Sequence, residues 1–318
     1  MKDHVIDLVC GEINVDYEEA EKIVDKAIAG GETDEFSLEE WFEERFRPNC
    51  VFIDEEAYAK MCVDALKIVS STAATDYGSS RQRDLGQLWA DMTRGYLGEY
   101  AVKIFLEKRW GIQSELGHEL GELDDFLPTD IHRVKLPDEQ VWRQPRLNIG
   151  IKTTKWNGIW FDIPGDQFNH SDVHILVKVG TGQDHLFAFF KSLSVFRDKV
   201  LKRGQEVGVL SPEEVESLYN SLPSFRPIPA YICGFVQRDG SYETLSYKGK
   251  LGKKNYTITE WNGPINPGDL DRIKAENNVP GKIQFQSIGR FAHERGYLFN
   301  TGNLKWKSED WERIVERL

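Results

Sequence analysis

Two charged residues in short β-rich segments have the types and spacing of a hydrolytic metal site. Asp130 stands near the start of one segment, Thr129 to Val134, and Lys152 lies inside a second, Leu147 to Thr153. The polar loop that joins the segments predicts a β-hairpin. Because paired strands lie about 5 Å apart, a carboxylate and an ammonium group would meet at one end of a small sheet. A divalent metal ion and a nucleophilic water would bind there.

At these residues the chain resembles the PD-(D/E)xK nucleases, a superfamily of restriction endonucleases and related DNA-cutting enzymes. The first motif corresponds to Pro128-Thr129-Asp130 and the second to Gly150-Ile151-Lys152. The second motif departs from the family pattern, because glycine stands at position 150 where the family has an Asp or a Glu. The similarity covers roughly residues 80 to 180. It implies a DNA nuclease with a restriction-endonuclease-like fold.

The resemblance also implies a magnesium site that holds one or two Mg²⁺ ions. In the family, the aspartate of the first motif and the acid of the second bind the metal, and the backbone carbonyl between acid and lysine adds a ligand. The lysine orients or activates the attacking water. By this correspondence Asp130 and the Ile151 carbonyl would bind Mg²⁺, and Lys152 would lie beside the water.

The acid that is missing at Gly150 must come from another part of the chain. Family members often carry a glutamate on the helix before the first strand, and Glu99 occupies such a helix here, which makes it a catalytic and metal-binding candidate. Asp162 is the alternative, because it follows the lysine strand and is expected on the adjoining one. Asp138 forms a literal Pro-Asp pair but falls in the loop, too far along to share the strand end of Asp130.

The element that must position Glu99 is a long helix predicted from Asp84 to about Arg109, with Gly111 just beyond its end. Apolar residues at helical spacing give it a face for a core. Gly95 and Gly98 each cost a helix interior up to about 1 kcal/mol relative to alanine. They therefore indicate that this helix closely approaches another backbone.

Several basic or hydroxyl side chains are candidates for DNA contact. Arg81 and Arg83 follow a serine-bearing break before the long helix, where guanidinium groups and a helix start both favour anions. The other candidates extend the lysine strand or lie in a basic, glycine-interrupted segment near the C-terminus: Thr153, Thr154, Lys155, Lys248, Lys250, Lys253 and Lys254. Ordinary solvated surface charge is the alternative explanation for each of these groups.

The pattern of elements predicts an α/β (α+β) fold with a central mixed β-sheet flanked by helices. Further strands are expected at Val173 to Val179, Leu186 to Phe190 and Pro229 to Val236. Three regions follow from this pattern: an acidic helical region at 1–53, a catalytic core at 54–236 and a β-rich, locally basic region at 237–318. The last region would contact DNA.

The net charge of −12 is carried by the front of the chain. Residues 1–60 contain 18 acids and 6 bases, and the remaining 34 acids and 34 bases cancel. A neutral body is compatible with a local basic groove that binds DNA. The acidic front is either a helical layer whose acids face solvent or a regulatory or dimerising arm, and the sequence leaves both open.

Other features of the sequence restrict the class of protein. The four cysteines have no metal-ligand spacing, no apolar signal region follows the first residues, and no apolar segment reaches about 18 residues. These features predict a cytoplasmic protein with reduced, buried thiols and no membrane association. The phosphate-binding loop of ATP-driven enzymes is absent, so we expect no nucleotide cofactor.

The sequence therefore predicts a type II restriction endonuclease that binds double-stranded DNA, requires Mg²⁺ and acts as a homodimer on a two-fold site. A structure-selective or repair nuclease of the same superfamily is the first alternative. A DNA-binding module that has lost catalysis is the second, and the glycine at position 150 favours it.

Overall fold

The computed structural model describes residues 1–69, 84–117, 129–182, 184–238, 245–248 and 295–318, with the backbone alone for 164–166, 245–248 and 295–298. Helices alternate with strands along most of this length. The helices are α1 (Lys2–Ile13), α2 (Tyr17–Ala29), α3 (Leu38–Glu40), α4 (Glu55–Val69), α5 (Leu85–Trp110), α6 (Gly165–His170), α7 (His185–Ser192), α8 (Lys202–Glu206), α9 (Pro212–Ser221) and α10 (Ser308–Val315). Two π-helical segments, Trp41–Phe46 and Phe196–Leu201, and two 3₁₀ turns, Arg47–Asn49 and Thr301–Asn303, complete the helical structure of these residues.

The strands of the described residues form three sheets. They are β1 (Cys50–Ile53), β2 (Gln113–Leu116), β3 (Ile131–Lys135), β4 (Ile149–Thr154), β5 (Trp160–Pro164), β6 (Val173–Val179), β7 (Ile228–Gln237), β8 (Leu245–Lys248) and β9 (Arg295–Asn300). The central sheet has the order β1-β7-β6-β4, and only β4 and β6 are parallel. β2 pairs with β3, and the third sheet has the order β5-β9-β8. The predicted class, a mixed sheet flanked by helices, is confirmed.

The central sheet is covered on both faces. On one face, α4, α5 and α10 pack on alternate strand residues such as Ile149, Ile151 and Ile175. On the other face, α1, α2 and the segment after them share a core with Leu176 and Tyr231. Alternate residues of a strand point to opposite faces, so each strand supplies side chains to both cores. The N-terminal helices thus form a layer on the sheet, with their apolar faces buried.

The bounds of α5 agree with the sequence prediction. Asp84 is the N-cap, and its side chain accepts a hydrogen bond from the Gln87 N–H. At the other end, Gly111 adopts a left-handed conformation with φ of 67°, which glycine tolerates because it has no Cβ. Helix propensity, capping and an apolar face all act within this segment, and the sequence is therefore sufficient to locate it.

Two strand predictions were wrong. β3 pairs with β2 rather than with β4, so the two motif segments do not form a hairpin. Residues 186–190, predicted as a strand, belong to α7, whose buried residues His185, Ala188 and Phe189 recur at helical spacing. A short apolar segment satisfies both periodicities, and here the helical alternative is the one that fits the core.

The structure also bears on two expectations drawn from the composition of the chain, one about the cysteines and one about membrane-spanning helices. All four cysteines are free thiols; Cys50, Cys62 and Cys233 are buried, and Cys10 is half-buried. Within the described parts of the chain, no helix combines the length and apolar composition that a membrane span requires.

The two glycines inside α5 differ in their surroundings. A Cβ on Gly98 would lie 1.9 Å from the Thr153 Oγ1 atom of β4, whereas a Cβ on Gly95 would meet no atom within 4 Å. Gly98 therefore permits close contact between α5 and β4. The sequence predicted a close approach to another backbone, but the atoms nearest to a Cβ on Gly98 belong to the Thr153 side chain, and a Cβ on Gly95 would meet no atom within 4 Å.

We expect Gly98→Ala to lower the free energy of unfolding by about 1–3 kcal/mol, because α5 or Thr153 must shift. Gly95→Ala is the matched control on the same helix, and it should stabilise by up to about 1 kcal/mol. Urea unfolding of the two variants measures both changes. Equal effects of the two substitutions would contradict the contact between α5 and β4.

Candidate active site at the edge of the central sheet

Asp130 contacts the outer edge of β4, although β3 and β4 are not paired. Its backbone N–H donates to the Ile149 carbonyl at 2.8 Å. Its carboxylate Oδ2 accepts a hydrogen bond from the Ile151 N–H at 2.5 Å. The preceding residue, Thr129, accepts a hydrogen bond from the Ile149 N–H through its hydroxyl at 3.0 Å. The Thr-Asp pair therefore binds β4 at the point where a neighbouring strand would otherwise pair.

The backbone of Ile151 faces the same edge. In a strand, the N–H and the C=O of one residue point to the same side, and those of the next residue point to the other. Because the Ile151 N–H points to Asp130, the Ile151 carbonyl is directed to this edge as well. A carboxylate and a backbone carbonyl are thus brought together by β4, as the motif correspondence predicted.

Lys152 projects from the face of β4 that points away from α5. Thr153 contacts α5, since its hydroxyl donates to the Gly95 carbonyl at 3.3 Å, and its neighbour Lys152 must point the other way. His174 on β6 lies on that second face. Burial lowers the pKa of His174 to about 4, and the positive charge of Lys152 adds to this effect. Lys152 is half-buried.

Glu99 approaches from the α5 side. It follows Gly98, the residue in contact with β4, and it is half-buried. Tyr96, one turn earlier on the same helix, has a raised pKa, mainly through burial and then through the negative charges of Glu99, Asp64 and Asp130. The negative charges of these three carboxylates therefore all raise the pKa of the Tyr96 hydroxyl. Glu99 lies on the α5 side of β4, and Lys152 lies on the other side.

Asp162 lies on a different sheet. The prediction that it occupies the strand adjoining β4 was wrong, because β5 pairs with β9 and Asp162 is in register with Leu298. The chain turns between β4 and β5 at Gly158, whose N–H donates to the Lys155 carbonyl at 3.0 Å. This turn leads β5 out of the central sheet. Glu99 stays the first candidate, as a prediction, for the acid that is missing at position 150.

The DNA-contact candidates are dispersed. The Thr153 hydroxyl donates a hydrogen bond to α5, and Thr154 lies against the turn at Gly158. Lys155 is exposed just after β4. Lys248 ends β8, where the backbone alone is described. The remaining candidates lie outside the described residues: Arg81, Arg83, Lys250, Lys253 and Lys254.

The glycine at position 150 has a structural cause. A Cβ on Gly150 would lie 2.9 Å from the Ser171 Oγ atom and 3.0 Å from the His174 Nδ1 atom. His174 is held in this position by stacking on Phe168, with ring centroids 5.2 Å apart. The space that an acid at position 150 would need is therefore filled by two side chains of this protein.

Gly150→Ala should reduce the free energy of unfolding by about 1–3 kcal/mol through this overpacking. Ser171→Gly in the same chain should recover much of the loss, since it removes the Oγ atom nearest to the added methyl group. Thermal or urea unfolding of the single and double variants checks this. Strict additivity of the two substitutions would rule out the contact.

The arrangement is compatible with magnesium. Within the described ranges, no three His, Cys, Asp or Glu side chains converge as a metal-binding group. Mg²⁺ commonly binds one or two carboxylates and takes its other oxygens from water and substrate phosphates. A carboxylate can accept about four bonds, so the hydrogen bond from Ile151 does not preclude a metal bond to Asp130. Asp130, Glu99 and the Ile151 carbonyl are the groups that would hold it.

Sequence reasoning missed Tyr96, His174 and Arg94. Tyr96 precedes Glu99 by three residues, so helical spacing places it on the same face. His174 matches no metal-ligand spacing in the sequence. Arg94 donates to the Thr181 hydroxyl at 3.3 Å, and no signal in the sequence indicates this contact across 87 residues.

Comparison with protein-family models, with curated proteins and with solved structures found no match to this chain.

Proposed function

We propose that this protein is a metal-dependent endonuclease that hydrolyses phosphodiester bonds of double-stranded DNA. The observation that carries the proposal is the edge of β4, where the Asp130 carboxylate accepts from the Ile151 N–H at 2.5 Å and Lys152 is the next residue. An acid, a strand carbonyl and a lysine in this order match the motif resemblance. The contact joins residues 21 positions apart, so it does not follow from chain proximity.

The chain's own groups would divide the work as follows. Mg²⁺, when bound, neutralises charge on the scissile phosphate and lowers the pKa of water. Asp130 and Glu99 supply negative oxygen ligands, and the Ile151 carbonyl supplies a neutral one. Lys152 places a positive charge where negative charge develops on the phosphoryl oxygens. His174, whose pKa is lowered to about 4, remains neutral at pH 7 and does not compete with Lys152 for anions.

Within this proposal, a type II restriction endonuclease with a restriction-endonuclease-like fold is our first choice. A homodimer would cut both strands of a two-fold symmetric site. A structure-selective or repair nuclease would use the same chemistry on a junction or a lesion. Cleavage at one short sequence separates the first from the second.

A non-catalytic DNA-binding module is the second candidate. The observation that favours it is Gly150, because Ser171 and His174 occupy the space of the usual acid. In that case the Asp130 contact with β4 would serve only to join β3 to the sheet edge.

The experiment that tests the proposal is incubation of the protein with unmodified phage and plasmid DNA, with Mg²⁺ and with EDTA. Discrete fragments that require Mg²⁺ support a sequence-specific nuclease, and non-discrete cleavage supports the structure-selective alternative. Tight DNA binding without cleavage across many DNAs would replace the nuclease with the binding module.

A further inference from the structure

A cavity of about 620 Å³ opens at the end of the central sheet. It lies beyond the carboxyl ends of the parallel strands β4 and β6, where Lys155 and the segment 180–182 follow the last strand residues. Ligands of open sheets with parallel strands commonly bind at such ends. The volume lies within the range of small-molecule sites and is large enough for one nucleotide.

One wall of this cavity is basic. Arg94 lies on α5, five residues before Glu99, and it is held in place by hydrogen bonds to the Thr181 hydroxyl at 3.3 Å and to Asp91 at 3.2 Å. Lys155 is exposed beside it on the cavity surface. Guanidinium and ammonium groups are the usual protein ligands of phosphate.

A second wall of the cavity is mainly acidic. Asp16 and Glu19 come from the start of α2, and Asp184 precedes α7. Arg226 lies among them and donates to Asp184 at 3.2 Å. Burial raises the pKa of Glu19, the charges of Asp16 and Asp184 raise it further, and Arg226 opposes them. This wall has three carboxylates and one guanidinium group, so its hydrogen-bond acceptors outnumber its donors.

A buried histidine also lines the cavity. His185 is 6% exposed, and its Nδ1 atom accepts from the Gly182 N–H at 2.8 Å. Because Nδ1 is the acceptor, the proton of the neutral ring is on Nε2. His185 also lines a smaller adjoining cavity together with Thr93 and Arg94.

The cavity lies along the strand that carries the candidate active site. Lys155 is three residues beyond Lys152, a distance of roughly 10 Å in extended chain. Arg94 precedes Glu99 on α5 and lies toward the cavity. The separation between Lys152 and Lys155 is short enough for one DNA strand with its scissile phosphate at the Asp130 edge to reach the cavity as well.

We propose that this cavity binds one nucleotide of the DNA strand, with its phosphate at Arg94 and Lys155 and its base toward Glu19 and Asp184. The inference rests on the proposed function, because the bound nucleotide belongs to the DNA strand that is cut. Carboxylates accept hydrogen bonds from base amino groups, so adenine, cytosine and guanine should bind better than thymine. The N-terminal acidic region thereby contributes one wall of a binding site.

The test is titration of the full-length wild-type protein with the four deoxynucleoside 5′-monophosphates by calorimetry, without added metal. These ligands contain no phosphodiester bond, so their binding is measured independently of cleavage. Arg94→Gln and Lys155→Gln should each weaken binding of all four about tenfold, the loss typical of one charged hydrogen bond. Glu19→Ala should reduce the preference for dCMP over dTMP about fivefold or more.

Arg203→Gln is the matched control, because Arg203 also pairs with an acid three residues away on an exposed helix and lies outside the cavity. It should bind like the wild type. Lys155→Gln keeps the test valid if Arg94→Gln does not fold, since Lys155 is exposed.

Two results would overturn the nucleotide site: no saturable binding by the wild type, or wild-type binding by both basic-wall variants. Cleavage of DNA without nucleotide binding would overturn this site and leave the nuclease intact. Nucleotide binding that the variants weaken as expected, in a protein that does not cleave DNA, would support the site and reject the nuclease.

Discussion

Asp130→Asn is expected to lower the rate of Mg²⁺-dependent DNA cleavage by about 100-fold or more, the scale seen when one preorganised electrostatic group is removed. Asparagine keeps the size of the side chain and an oxygen that can accept from the Ile151 N–H. It loses the negative charge that binds the metal. The loss should therefore appear in the rate while the melting temperature changes little. Initial cleavage rates on plasmid DNA at fixed Mg²⁺ measure it.

Lys152→Gln should have a loss of similar size, because it removes the positive charge near the phosphate. Asp138→Asn is the control, since Asp138 is an exposed acid in the loop between β3 and β4. Glu99→Gln and Asp162→Asn separate the two acids that compete for the vacant ligand position. A large loss in Glu99→Gln alone would support Glu99 as that ligand. Wild-type cleavage by Asp130→Asn would show that the β4 edge is not the active site.

The second large effect concerns a buried ion pair on the other face of the sheet. Lys178 donates to Glu32 at 2.8 Å, and their side chains are 4% and 0% exposed. Tyr231 and Trp41 also donate to the Glu32 carboxylate, at 2.9 and 3.3 Å. We expect Lys178→Met to lower the free energy of unfolding by about 3–5 kcal/mol, because it leaves the Glu32 charge buried without its closest partner.

A double-mutant cycle identifies the cause of that loss. Glu32→Gln alone should also destabilise, and the double variant should lose less than the two single losses together, since neither charge is then buried alone. Urea unfolding of the four proteins gives the coupling energy. If the effects simply add, the pair is not what holds the N-terminal layer on the sheet.

The same group makes stability depend on pH. Burial alone would raise the pKa of Glu32, but the charges of Lys178 and Arg45 lower it from 4.5 to about 2. A lowered pKa in the folded state stabilises the protein above the unfolded value, and that stabilisation is lost as the pH falls from about 4.5 to about 2. The difference corresponds to about 3 kcal/mol. Glu32→Gln should remove this part of the acid dependence, which unfolding measured between pH 2 and pH 6 would show.

The Glu32 network had no signal in the sequence. Glu32 follows a Gly-Gly pair among many surface acids, and Lys178 alternates with apolar residues as a solvated strand lysine would. Their partners, Arg45 and Tyr231, come from separate elements. Arg45 donates to the backbone carbonyls of Cys233 and Thr301 at 3.2 and 2.8 Å. A charge is buried only where distant partners converge, and local sequence does not contain that convergence.

The sequence by itself determined the elements whose signals are local. The bounds of α5 and the strands β6 and β7 follow from periodicity and capping, which act within a few residues. The tertiary structure decided which strands pair. Only it showed that Asp130 reaches β4 without a hairpin, that Asp162 leaves the sheet, and that Ser171 and His174 fill the space at Gly150. Strand pairing and side-chain contact join residues far apart in the chain, so their energies depend on the whole fold.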